Sequence, residues 1–213
     1  MNCCRAQALD TEFGKKIAAM NLRQYRRRGP SKTTRLLLSA LRAEGVAGRT
    51  LLDIGGGVGA ISHELLRSDL AHATSVDAAG AYIEAARSEA ERQGHLDRLS
   101  LHQGDFVELA GDIRPADIVT LDRVICCYPD MPALVGASVA HAGHVYGLVY
   151  PRNAWWTRLG VRMINLVFRI RRHSFRTFIH SPEAVDALVV ARGFQLRFRR
   201  LTGVWQVVVY ART

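Results

Sequence analysis

Apolar positions recur along this chain with two different periods. Thr11 to Arg28 carries Phe13, Ile17, Met20 or Asn21, and Tyr25 at helical spacing until Gly29-Pro30 breaks the pattern. Pro30 can begin a second helix, which holds Leu36, Leu37, Leu38 and Leu41 and stops at Gly45. From Arg49 onward short apolar runs take over. They predict strands near Thr50 to Ile54, Thr74 to Asp77, Leu99 to Gln103, Asp117 to Leu121 and His144 to Tyr150, with helices near Ala60 to Arg67, Gly80 to Gln93 and Met131 to His141. Strands separated by helices imply an α/β domain whose parallel sheet is covered on both faces. The end of the chain differs, because Phe194 to Leu201 and Val204 to Tyr210 are split only by Thr202-Gly203 and read as an antiparallel hairpin. The resulting division is an N-terminal helical cap over 1–45 and one domain over 46–213.

The segment Asp53-Ile54-Gly55-Gly56-Gly57-Val58-Gly59-Ala60 ends an apolar strand and opens a helix. Its glycines allow a tight turn and a close approach to a ligand at the carboxyl edge of the sheet. Gly55, Gly57 and Ala60 also satisfy the dinucleotide pattern, so the loop alone leaves two cofactor classes open. Asp53 favours one of them: a carboxylate there attracts an ammonium and repels a pyrophosphate. Asp77, at the end of the next strand, is placed to accept from a ribose diol in either class. After the third strand, Gly104-Asp105-Phe106 offers an acceptor for an exocyclic amine and a ring to pack on a base.

With Leu52-Asp53-Ile54-Gly55-Gly56-Gly57-Val58-Gly59, Ser75-Val76-Asp77, Gly104-Asp105-Phe106, Asp117-Ile118-Val119-Thr120-Leu121-Asp122 and the closing hairpin, the chain resembles class I S-adenosylmethionine-dependent methyltransferases over roughly 45 to 213. That resemblance implies a Rossmann-like, seven-stranded, mostly parallel sheet with the last strand antiparallel, and S-adenosyl-L-methionine as cofactor. It implies roles by position: Gly55 and Gly57 approach the methionine part, Asp77 with Ala78 meets the ribose hydroxyls, Asp105 and Phe106 frame the adenine, and Leu121 or Asp122 lies near the sulfonium.

Methyl transfer is an in-line displacement, so few residues need do chemistry beyond alignment, and a base is needed only if the acceptor loses a proton. Asp122-Arg123-Val124-Ile125-Cys126-Cys127-Tyr128-Pro129-Asp130 loosely resembles the corresponding stretch of magnesium-protoporphyrin methyltransferases, with Cys127 standing where that pattern has a histidine. Phe175-Arg176-Thr177-Phe178-Ile179-His180 adds a second loose match. Catalytic or acceptor-contacting candidates are Cys127, Tyr128, His180 and Tyr25, although core packing explains Tyr128 as well. His180 precedes Ser181-Pro182-Glu183, a helix start with Ser181 as N-cap. His63 reads as solvent-facing.

Charge and cysteine usage narrow the partners. The formal charge is +10 and only Lys15, Lys16 and Lys32 among the 29 basic residues are lysines. No acid lies between Lys15 and Arg35, nor between Met131 and Pro182. Cys3-Cys4 and Cys126-Cys127 lack metal-ligand spacing and read as reduced thiols; no metal is expected. With no secretory or membrane-spanning segment, the expected location is the cytoplasm. Near 153–173, Trp156, Leu159, Met163, Leu166 and Ile170 form one helical stripe, and Arg158, Arg162, Asn165, Arg169 and Arg172 the opposite one. Such a helix over 155–172 serves either as a lid whose apolar face covers the acceptor site, the favoured reading, or as a peripheral contact with an anionic membrane. The run Arg23 to Arg28 could cap the same pocket and supply cations. A nucleic-acid acceptor is disfavoured, since Asp122-Arg123-Val124-Ile125 replaces the tetrad of base amino-methylation. The expected activity is methylation of a small, apolar or anionic acceptor at oxygen; the rivals are a nicotinamide-dependent oxidoreductase or an RNA- or membrane-surface binding protein that keeps the fold.

Overall fold

The computed structural model describes residues 14–172 and 175–212, so Cys3, Cys4 and Phe13 lie outside the described residues. Among the described residues, two helices, α1 (Lys15–Arg28) and α2 (Lys32–Ala43), precede the sheet domain. Ser31 caps α2 by accepting from Thr34 N, so Pro30 stands just before the cap instead of opening the helix. The sheet domain then runs β1 (Thr50–Ile54), α3 (Ala60–Leu66), β2 (His72–Asp77), α4 (Gly80–Gln93), β3 (Leu99–Gln103), α5 (Phe106–Leu109), β4 (Ala116–Asp122), α6 (Met131–Ala140) and β5 (Ala142–Pro151). It closes with α7 (Trp155–Ile170), α8 (Pro182–Val190), β6 (Phe194–Thr202) and β7 (Trp205–Arg212).

The seven strands lie in the order β3-β2-β1-β4-β5-β7-β6. β1 to β5 pair in parallel, and β7 enters antiparallel between β5 and β6. The seven-stranded, mostly parallel, Rossmann-like architecture expected from the sequence is therefore present. Within the terminal hairpin only β7 opposes the common direction, because β6, antiparallel to it, points the same way as the rest.

Period-two alternation distributes the strand side chains between two cores. Val207 and Val209 face the cluster that holds Leu37, Leu41, Leu65 and Val149, whereas Val208 and Tyr210 face the one that holds Leu134, Val139, Val185 and Val189. α2 and α3 thus cover one face, and α6 and α8 the other. Each buried Leu or Val contributes about 1.5–3 kcal/mol relative to exposure, which fixes the sheet as a rigid base for its edge loops. Strand order reverses between β1 and β4, and open α/β sheets bind ligands in the crevice beyond such a point.

Candidate active site

A cavity of about 600 Å³ opens at that reversal. Its floor is the glycine loop after β1, and carboxylates at successive strand ends surround it: Asp53, Asp77, Asp105 and Asp122. Gly55, Gly57, Ala78 and Phe106 also line it. Gly56 does too, and its reason for being glycine is space: a β-carbon there would lie 2.3 Å from Ser75 Oγ and 3.0 Å from Asp53 Oδ2.

The carboxylates differ in environment. Asp53 is buried, accepts from Thr120 Oγ1 (2.7 Å) and Ser62 Oγ (3.4 Å), and is pushed up to about 7, chiefly by burial and then by neighbouring Asp122 and Asp77. Asp77 accepts from Gly57 N (2.9 Å) and Ala79 N (2.9 Å), so it fastens the glycine loop to the end of β2; burial raises it against those two hydrogen bonds. Asp105 caps α5 by accepting from Val107 N (3.0 Å) and also accepts the Tyr128 hydroxyl at 3.0 and 3.1 Å. Asp122 accepts from Thr34 Oγ1 (2.5 Å) and Arg123 Nε (3.0 Å).

The opposite wall comes from elements far apart in sequence. Tyr25 of α1 lines the cavity, with Asn21 and Gln24 beside it; its hydroxyl donates to Glu64 Oε1 (3.1 Å), and burial raises it to about 12. Asn21 Nδ2 donates to Tyr82 Oη (2.6 Å) and holds α1 against α4. None of the arginines in the run Arg23 to Arg28 lines the cavity, and Arg26 pairs with Glu89 at 2.7 Å. The cavity's cation is Arg123, the only one among the described lining residues. Its backbone is left-handed (φ 65°), its guanidinium donates to Ser31 Oγ (2.8 Å) and Thr34 Oγ1 (3.2 Å), and it lies 5.7 Å over the Trp205 ring.

Cys126 and Cys127 both line the cavity on a short 3-10 turn, with their sulfurs 3.8 Å apart. The contact with the Cys126 thiol holds Cys127 below the usual thiol range, and that same contact together with burial drives Cys126 up. The segment after α7 is laid along this turn: Phe178 N donates to Cys126 O (2.7 Å), while Phe175 and Thr177 line the cavity.

Several expectations are corrected. Leu121 faces the core between sheet and helices instead of the cavity, because alternation along β4 sends Asp122, not its predecessor, to the ligand side. His180 does not line the cavity; its Nε2–H is shared between Ile125 O and Tyr128 O, both at 3.1 Å, and pins the 3-10 turn. Tyr128 is buried, but its hydroxyl is committed to Asp105 and not to packing alone. His63 is wholly buried instead of solvent-facing: Nε2 donates to Val58 O (3.1 Å), so Nδ1 must accept from His95 Nε2 (2.8 Å), and burial with His95 nearby lowers it to about 4.

α7 corrects the lid expectation. None of its residues lines the cavity, and Trp155, Leu159, Met163 and Ile170 of its apolar face are exposed. Arg123, Thr34 and Trp205 went unrecognised in the sequence. The only local hint was Arg123's place directly after Asp122, whereas Thr34 meets Asp122 across 88 residues and nothing short-range marks it.

A methyltransferase-domain family model matches residues 46–155. Among curated proteins, the ribosomal protein L11 methyltransferase of Edwardsiella ictaluri (strain 93-146) is 32% identical over 117 residues, covering 52% of this chain and 40% of that protein. The corresponding protein of Escherichia coli (strain 55989 / EAEC) gives 32% over the same length. The chain thus spans about two fifths of the length of these relatives. Among solved structures, magnesium protoporphyrin IX methyltransferase from Synechocystis PCC 6803 with bound S-adenosylmethionine superposes with a TM-score of 0.72 at 13% identity, covering 98% of this chain and 97% of that one. A methyltransferase from Haloferax volcanii, in complex with the Trm112 activator, gives 0.70 at 14% identity over 95% and 96%. An O-methyltransferase family protein from Burkholderia thailandensis gives 0.70 at 15% over 97% and 64%.

Proposed function

The chain belongs to the methyltransferase domain family, which draws its methyl group from S-adenosylmethionine, and on that premise we propose that it methylates a small acceptor, apolar in body and anionic at one end, at oxygen. The observation that carries the acceptor is Arg123, the single cation among the described lining residues, set beside Trp205.

The residues present fit the donor. Asp53 and Asp77 beside the glycine loop would repel a diphosphate but suit a ligand with an ammonium and a ribose. Asp53 would hold the ammonium, Asp77 with Ala78 the ribose diol, and Asp105 the adenine amine beside Phe106, with Tyr128 steadying Asp105 through its hydroxyl. When bound, the donor supplies an electrophilic methyl on a sulfonium. The protein's part is then to align an acceptor oxygen and exclude water. Arg123 would take a carboxylate end, and Tyr25, Trp205 and Phe175 the apolar body. A carboxylate carries no proton at neutral pH and needs no base; for a hydroxyl acceptor, Cys127, which lines the cavity and whose thiol is held low, would receive the proton.

Parallel calorimetric titrations with S-adenosylhomocysteine, S-adenosylmethionine and NAD test the donor. Micromolar binding of the first two without the third is expected, a scale of about −8 kcal/mol; binding of NAD alone would overturn the reading. Asp77→Ala removes a carboxylate and leaves Gly57 N and Ala79 N without their partner, so donor affinity should fall by about 1–3 kcal/mol. Unchanged affinity would displace the ribose from Asp77. For the acceptor, Arg123→Gln should lower kcat/KM for carboxylate acceptors about tenfold or more while the donor Kd stays within twofold, since charge-assisted hydrogen bonds contribute roughly 1.5–3 kcal/mol. Equal losses on neutral and anionic acceptors would remove Arg123 from the recognition role.

A further inference from the structure

α7 is built the wrong way round for a helix that only packs on its own domain. Its 16 residues meet the protein through a narrow stripe of Thr157, Val161, Asn165 and Phe168, of which only Thr157 is fully buried. At 3.6 residues per turn, Trp155, Leu166, Leu159, Ile170, Met163, Trp156 and Val167 fall within an arc of roughly 120° centred opposite that stripe. The arc faces solvent: Trp155 is 77% exposed, Ile170 72%, Met163 54% and Leu159 52%. A patch of this composition is not left in water by a protein without a surface to cover it.

The borders of the arc are cationic. Arg158, Arg162 and Arg169 follow one edge and Arg171 the other, and none of the ion pairs among the described residues involves them. No acidic residue lies between Met131 and Pro182, so nothing on the helix or its flanks neutralises the row. Arg152 lies 5.8 Å over the Trp156 ring, at the end of the helix where an aromatic would sit among headgroups.

We propose that α7 lies in the interface of an anionic lipid bilayer, its apolar arc sunk about 5–10 Å among the acyl chains and its arginines on the phosphates. A second copy of the chain fits less well, because pairing two such faces would bring unpaired arginine rows together on molecules of charge +10. RNA would satisfy the arginines but leave the aliphatic centre of the arc in water.

Docking here places the bilayer next to the cavity wall. Asn165 clamps Thr177 in both directions, donating from Nδ2 to Thr177 O (2.7 Å) and accepting from Thr177 N at Oδ1 (2.9 Å), and Thr177 lines the cavity. Resting on the acceptor reading above, the acceptor is then an amphiphile drawn from the membrane, its anionic end directed to Arg123.

The test is co-sedimentation of the full chain with phosphatidylcholine vesicles, with and without phosphatidylglycerol. Uptake is expected only with the anionic lipid, with blue-shifted tryptophan emission, and it should fall on the order of tenfold as salt rises above ~0.1 M, where the screening length is already about 10 Å. Leu159→Ser, Met163→Ser and Ile170→Ser should each cost about tenfold in partitioning. Arg158→Gln with Arg162→Gln and Arg169→Gln should abolish the lipid preference. All these positions are exposed, so unchanged melting and unchanged S-adenosylhomocysteine binding will show that the variants fold. No uptake at low salt overturns the proposal. So does a dimer that the serine variants dissociate without vesicle uptake, or RNA binding that survives them. Vesicle uptake is read without donor or acceptor, so its failure and that of the methyl-transfer reading are separable.

Discussion

Gly55→Ala is expected to lower the folding stability by roughly 2–5 kcal/mol and to weaken S-adenosylhomocysteine binding by more than an order of magnitude. Two costs add. Gly55 is left-handed, with φ of 65°, a conformation that costs an alanine about 1–2 kcal/mol. Its β-carbon would also lie 2.4 Å from Val124 Cγ2, and overpacking of a tight contact costs about 1–3 kcal/mol. Val124 can retreat only by moving the segment that carries Cys126 and Cys127, both of which line the cavity. The damage is therefore local to the site, not spread over the sheet. Calorimetric titration and thermal melting of three variants check this. Val124→Ala alone should bind almost normally, and Gly55→Ala with Val124→Ala should recover the steric part but not the backbone part. Normal binding by Gly55→Ala would mean that the loop after β1 is not the donor contact.

Gly55 also shows what the sequence carries plainly. A turn from strand to helix with four glycines in five positions has few alternatives, and the acids at or next to the carboxyl ends of β1, β2 and β4 fall at the sheet's ligand-binding edge. The strands were legible because buried parallel strands are short apolar runs between helical segments, and Thr202-Gly203 punctuates the last pair. Direction is what periodicity cannot supply. The amphipathic pattern of α7 picked out the apolar stripe but set the arginines opposite it, whereas they border it; the face that meets the protein depends on Asn165 finding Thr177 and Phe168 finding Phe175, 5.7 Å away between ring centroids. His63 misled for a similar reason. Gly59 opens α3 in a left-handed conformation and thereby turns His63 toward Val58 and the distant His95. The cavity's cation was equally hidden, since Arg123 gains its place from Ser31, Thr34 and Trp205, three partners drawn from opposite ends of the chain.

Asp53 should make both stability and donor binding depend on pH, in opposite senses. Its carboxyl titrates at about 7 in the folded chain against 3.8 in an exposed one. Between those values the folded state holds a proton that the unfolded state has lost, so this group lowers stability as pH rises through the window. The effect is flat below pH about 4 and above about 7, and its ceiling is of order 4 kcal/mol at 1.36 kcal/mol per unit. An incoming ammonium needs the opposite protonation state. Donor affinity should therefore rise by up to about tenfold per pH unit on approach to pH 7 from below and level off above it, with one proton released per ligand bound under acidic conditions. Calorimetry in two buffers of different ionisation enthalpy counts that proton, and denaturant unfolding from pH 5 to 8 follows the stability. Asp53→Asn keeps a partner for Thr120 and Ser62 but cannot ionise. It should be more stable than the parent at pH 8, bind donor more weakly there, and lose the pH dependence of both. A variant that kept the proton release would move the titrating group to Asp77, whose carboxylate fastens the glycine loop. A variant that bound donor as well as the parent at pH 8 would show that the ammonium is held elsewhere.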